Sequence, residues 1–118
     1  MFEAENVRDW IGMPVVDSEG SKVGNLESIY FDTATDQPEF AAVHVGILGG
    51  QKLVFVPLSG AVVAPKYLKV LFPKKQIKDA PSIATDGELD SAVEPEIFTH
   101  YGIPYNTGIN GERRLGRR

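Results

Sequence analysis

The sequence predicts a mainly β chain: a small curled antiparallel β-barrel of about six strands, with helices only at its margins. Three observations carry that prediction. Short extended apolar runs alternate with Gly-, Asp- and Pro-rich turns as far as Phe72. Glycines stand at Gly12 and Gly24, where a strand has to start or bend. The strongest helical segment, Glu94–Tyr101, lies beyond a change of texture after Phe72.

Each element has its local reason. Asn6 is placed to cap a short helical turn over Val7–Ile11, whose Val7, Trp10 and Ile11 share one apolar face. Gly12 stops that turn and Pro14 opens a strand, Met13–Val16. The turn Asp17-Ser18-Glu19-Gly20 joins it to a second strand, Lys22–Phe31, with Gly20 at the positive-φ position. In that strand Val23, Leu26, Ile29 and Phe31 are spaced three, three and two apart. Strict alternation needs two throughout, so a bulge is expected near Gly24 or around Glu27–Ser28.

The polar turn Asp32–Gln37 leads into Glu39–Ile47, where Ala41, Val43, Val45 and Ile47 form one apolar face and Ala42, His44 and Gly46 the other. After the hairpin loop Leu48–Gln51, Lys52–Val56 is apolar on both faces, which predicts a strand covered on both sides. Ala61–Val63 reads as a short strand, and Tyr67–Phe72 as the last, with Leu68, Val70 and Phe72 inward and Leu71 outward. A short helix is expected near Pro73, halted by Pro81, followed by an acidic loop, Ser82–Val93. Glu94–Tyr101 has Pro95 in its first turn, Gly102 in the left-handed capping position and Ile103 placed to pack back on Phe98. From Asn106 the chain shows glycines and charge without periodicity, which predicts a flexible basic tail. The expected organisation is therefore a barrel over 1–72, an extension over 73–105 packed on the barrel or on a partner subunit, and a tail over 106–118.

Composition narrows the functional classes. The chain has 118 residues, enough for one domain, with 42% hydrophobic and 24% charged residues, as in ordinary globular proteins. It has no cysteine, hence no disulfide, thiolate metal site or thiol nucleophile. No apolar run approaches the roughly 20 residues of a membrane-spanning helix, although a peripheral membrane contact stays open. The acidic start MFEAENVRDW lacks the pattern of a signal peptide, so the expected location is cytoplasmic. The net charge is −4; Arg113, Arg114, Arg117 and Arg118 against Glu112 give the last 13 residues +3, leaving −7 on the first 105. An acidic body repels nucleic acid at long range, and the tail is the one segment suited to an anionic partner.

Residues that could carry chemistry have structural readings. His44 lies on the outward strand face, and His100 near a helix C-terminus, where an imidazolium meets the negative end of the dipole. The two form no metal-ligand spacing. Asp32–Asp36 resembles a calcium loop only superficially, because Gln37 and Val43 occupy the positions of its required glycine and glutamate. Asp17, Asp32 and Asp36 fit Asx turns. Gly46–Gly50 lacks the Lys-Ser/Thr ending of a phosphate loop, and Ser59-Gly60 lacks the frame of a nucleophile elbow. The aromatics Trp10, Tyr30, Phe40, Phe55 and Tyr67 have no interleaved basic residues as stacking sites demand, and most aromatics of a small barrel fill its core. No catalytic residue, cofactor or metal is expected.

One resemblance adds to this. The segments WIGMPV (Trp10–Val15), DSEGSKVG (Asp17–Gly24), Leu26, Ile29–Asp32 and Val54–Leu58 resemble the PRC-barrel domain over about Val7–Phe72. That domain is shared by the H subunit of photosynthetic reaction centres and the C-terminal half of the RimM-type ribosome-maturation factor. The extension and arginine tail look like those of stand-alone actinobacterial members. The resemblance implies a non-catalytic docking surface. It carries over no catalytic residue, and neither relative's role transfers, since their transmembrane helix and preceding barrel have no counterpart here. The leading expectation is a protein-interaction module, forming a homodimer or binding an unidentified protein through Leu71, Tyr67, Val54 and Val56. The alternative is a ribosome- or RNA-associated adaptor using Arg113, Arg114, Arg117 and Arg118.

Overall fold

The computed structural model describes residues 9–47, 50–83, 89, 92–104 and 115–117. Its strands are β1 (Pro14–Val16), β2 (Lys22–Asp32), β3 (Pro38–Ile47), β4 (Gly50–Pro57), β5 (Val62–Val63), β6 (Leu68–Lys69), β7 (Ser82–Ile83) and β8 (Leu115–Arg117). Two helices, α1 (Lys74–Lys78) and α2 (Glu94–His100), complete it. All eight strands belong to one sheet of order β5-β6-β1-β2-β3-β4-β7, with β8 on β2.

Four elements at the centre of the sheet follow the sequence closely. The β1–β2 hairpin turns at Asp17–Gly20, where Gly20 has φ 88°. Both candidate bulges in β2 are present: the register skips Val23 against β1 and Glu27 against β3. They bend an eleven-residue strand enough to serve β1 on one edge and β3 on the other. Gly24 is glycine for a steric reason, because a Cβ there would collide with the carbonyl of His44 on β3. Val23, Leu26, Phe31, Val43, Val45, Phe55 and Val70 are all buried, as the alternation predicts. Leu53–Val56 is covered on both faces, also as expected.

The fold departs from expectation in five places. The sheet is open rather than closed: among the described residues, β5 and β7 end it without pairing to each other. Among the described residues it has eight strands against the expected six or so, and β1 with β6 is a parallel pair. The run Tyr67–Phe72 supplies only two ladder residues, because after Lys69 the backbone bonds upward to Val16 (Val70 N–H) and then to Ser18 (Phe72 C=O) and leaves the sheet. Ile11 is 47% exposed while Trp10 is buried, so the two do not share a face on the body; Asn6 and Val7 lie outside the described residues. The segments read as loop and tail each contribute a strand: Ser82–Ile83 pairs with Val54 and Leu53, and Leu115–Arg117 with Asp32–Tyr30. Neither has a pattern long enough to register as a strand; each forms because an edge backbone needs partners.

The extension packs onto the sheet of its own chain. Phe98 of α2 lies 5.0 Å from Phe40, centroid to centroid, and Tyr101 lies 4.9 Å from Phe72. The buried Tyr101 hydroxyl donates to the Phe55 carbonyl at 2.6 Å, and burial pushes its ionisation upward. Helix α2 ends as expected. Gly102 has φ 70°, and the amides of Ile103 and Gly102 donate to the carbonyls of Phe98 (2.9 Å) and Thr99 (3.0 Å). Ile77, Leu89, Ile97, Phe98 and Leu115 join the same core as the central strands, so sheet and extension bury one continuous apolar cluster.

Candidate interaction surface

The β5–β6 hairpin lies at one end of the sheet, and its two faces differ sharply. Leu68 and Val70 point inward and are buried. Alternation then sends Tyr67, Lys69 and Leu71 outward, and the pairing of Val62 with Lys69 puts Val62 on that same outer face. The exposures are large: Val62 59%, Tyr67 41% and Leu71 59%. Single exposed hydrophobes are commonplace, but three on one two-stranded face are a patch. The outer edge of β5 has no neighbour among the described strands.

Beside this face lies a cleft of about 580 Å³, lined by Pro38, Phe40, Pro57, Leu58, Ala61 and Ile103 among others. Leu71 stands at its rim: a Cβ built on the lining residue Gly60 would come within 3.0 Å of the Leu71 Cδ2. Gly60 has φ 76°, so the turn that shapes the cleft requires a residue free of β-carbon strain. Local sequence produces the pairing of knob and hollow. Pro57 ends β4, Leu58 turns back through its amide to the Glu39 carbonyl (2.9 Å), and the Ser59-Gly60 turn starts the hairpin.

Of the four residues expected at an interface, Leu71 and Tyr67 are on this surface. Val54 and Val56 are not: both are completely buried inside the single chain, on the face of β4 that pairs with Ala41 and Val43. Apolarity on both faces was a packing signal there. The exposure of Val62 was not legible, because a two-residue strand gives no periodicity from which to assign faces. Of the tail arginines, Arg117 has its backbone in β8, opposite Tyr30; Arg113, Arg114 and Arg118 lie outside the described residues.

The polar groups weighed for chemistry are engaged in structural roles. The Asp17 carboxylate is almost fully buried; its Oδ1 accepts from the amides of Glu19 (2.9 Å) and Ser21 (2.8 Å), and its Oδ2 from the amide of Lys74 (3.0 Å) at the start of α1. The amide of Ser21 first, then those of Lys74 and Glu19, hold its carboxyl below the ordinary range against the opposing effect of burial. Asp32 accepts from Ala34 (2.7 Å) and Thr35 (3.2 Å), the Asx arrangement expected of it, and Asp36 carries the turn's positive φ of 60°. His100 donates from Nε2 to the Gln76 carbonyl at 2.7 Å, linking α2 to α1 rather than serving only the end of its own helix. His44 is half-buried on β3. Among the described residues no group of three His, Cys, Asp or Glu side chains is arranged to hold a metal ion.

With this geometry in place, comparison with protein families matches the PRC-barrel domain over residues 2–77, well over half of the chain. The chain belongs to the PRC-barrel family. The match begins before the first described residue and ends at Ile77 inside α1, so the start of α1, held by Asp17, falls within the family's domain. Comparison with curated proteins returns no match. PRC-barrel domains are in general non-catalytic modules. Among the described residues no helix is long and apolar enough to cross a membrane.

Proposed function

We propose that this PRC-barrel protein is a non-catalytic assembly module that pairs with a second copy of itself through the outer face of the β5–β6 hairpin. The supporting observation is the juxtaposition of exposed Leu71 with an apolar cleft at its side. A two-fold axis near Gly60 brings each copy's Leu71 to the other's cleft, so one surface supplies both knob and hollow, as an isologous contact demands. Val62 and Tyr67 then flank the contact, and Lys69 lies at its rim. A leucine going from 59% exposed to buried contributes most where it fills a preformed hollow, because surrounding near-neutral contacts exclude water from it.

Light scattering on the purified chain at tens of micromolar tests this. The expected mass is twice that of the chain, and Leu71→Glu returns it to the single-chain mass while leaving the circular dichroism spectrum unchanged. A wild-type protein that stays at single-chain mass contradicts the proposal.

A further inference from the structure

The C-terminal strand occupies a slot built from three parts of the fold. Its backbone pairs with the β2 edge beyond the end of β1, Leu115 opposite Asp32 and Arg117 opposite Tyr30. Its Leu115 side chain is completely buried in the common core. Its Leu115 amide donates to Oε2 of Glu94, a carboxylate completely buried at the first residue of α2, at 3.3 Å. Edge, apolar socket and buried acceptor are the parts of a strand-addition site: the edge binds any backbone, and the socket selects the side chain. Glycine follows leucine where the strand passes Thr33; a Cβ at Gly116 would lie 3.5 Å from its methyl group, in ordinary contact.

We propose that this slot is an exchangeable peptide site, which β8 leaves and re-enters, and that the segment it accepts in trans is the Leu115–Arg117 strand of a second copy. Three observations support exchange. The strand is three residues long and has one buried anchor, so it is held far more weakly than the central ladders. Ten residues, Tyr105–Arg114, join it to the rest of the chain. That length reaches about 35 Å when extended, comparable with the 39 Å long axis of the molecule, so a neighbour is within range. The last 13 residues carry +3 and the first 105 carry −7, so the segment is drawn to the acidic body of any copy. The intramolecular strand has the advantage of high effective concentration, so the site binds in trans when the internal strand is weakened. This is separate from the β5–β6 contact and does not rest on it.

The test uses the full chain and a fluorescein-labelled peptide copying residues 106–118, followed by fluorescence anisotropy. The Leu115→Ala chain, whose own anchor is shortened, is expected to bind the peptide at least tenfold more tightly than wild type. A peptide carrying Leu115→Asp is expected not to bind. The same Leu115→Ala chain carrying Thr33→Cys and Gly116→Cys, otherwise free of cysteine, closes the slot when oxidised: the reduced form binds the peptide and the oxidised form does not. Absence of binding to Leu115→Ala, or equal binding to the oxidised and reduced forms, overturns the proposal.

Discussion

The β3–β4 ladder and the β5–β6 hairpin are both antiparallel pairs rich in β-branched and aliphatic residues, but their side chains meet different surroundings. In the ladder, eight paired positions run without interruption and Leu53–Val56 is buried on both faces, between the curled sheet and the extension that carries Phe98 and Tyr101. In the hairpin, two paired positions suffice, Leu68 and Val70 complete the core, and Val62, Tyr67 and Leu71 are left toward water. Two-sided apolarity at the centre of a sheet is thus packing, whereas at its edge it is surface available to a partner. The hydrophobic effect is the same per unit area in both places; neighbours on the second face decide whether folding or association collects it.

The contrast predicts a graded series of substitutions, each read by urea unfolding. Phe55→Ala in the ladder removes a side chain that packs edge-on against Tyr30 at 5.1 Å, and is expected to cost about 3–5 kcal/mol. A loss under about 1 kcal/mol would break the distinction between the two regions. Gly24→Ala sets a methyl group against the His44 carbonyl and should cost about 1–3 kcal/mol, since the bulged strand must move away from β3. Tyr101→Phe leaves the aromatic packing and removes one buried hydrogen bond to Phe55, for about 1–2 kcal/mol.

Acid sharpens the picture at the joint between hairpin turn and helix. The folded-state pKa of Asp17 is lowered by its three backbone donors, so its contribution is complete above the unfolded carboxyl pKa of about 4. It is lost as pH falls through the lower folded value, because the unfolded chain takes up the proton first. Thermal unfolding of the wild type is therefore expected to fall across that acid range, and Asp17→Asn to flatten the fall. An unchanged acid profile in the variant would show that Asp17 is not the group responsible. Smallest of all is Leu71→Glu, expected to stay within about 0.5 kcal/mol of wild type at concentrations too low for pairing, because in the single chain its side chain is largely solvated.

Much of the fold was legible in the residues. Gly20, Gly24 and Gly102 mark the turn, strand bend and helix end that the structure contains, and the irregular spacing of Val23, Leu26 and Ile29 announces a bulged strand, which is bulged at both of the places considered. Periodicity failed where elements are too short to have any. Ser82–Ile83 and Leu115–Arg117 are strands because β4 and β2 offer them backbone partners, a property of the partner and not of the segment. The exposed face of the hairpin was half legible for the same reason. The outward Leu71 follows from alternation with Leu68 and Val70, whereas a run apolar on both faces does not reveal that Val54 and Val56 are buried beside Ala41 and Val43 of their own chain. The cleft is assembled from three separate stretches around Pro38, Leu58 and Ile103, which no local pattern connects.

The measurement that bears most directly on the docking role is sedimentation velocity of wild type and Leu71→Glu side by side, from low to high micromolar concentration. Wild type should pass from single chain to dimer as concentration rises, and Leu71→Glu should remain a single chain, its unfolding midpoint matching wild type at the low end where neither pairs. Identical sedimentation of the two proteins would mean that the exposed face of the β5–β6 hairpin does not join copies of this chain.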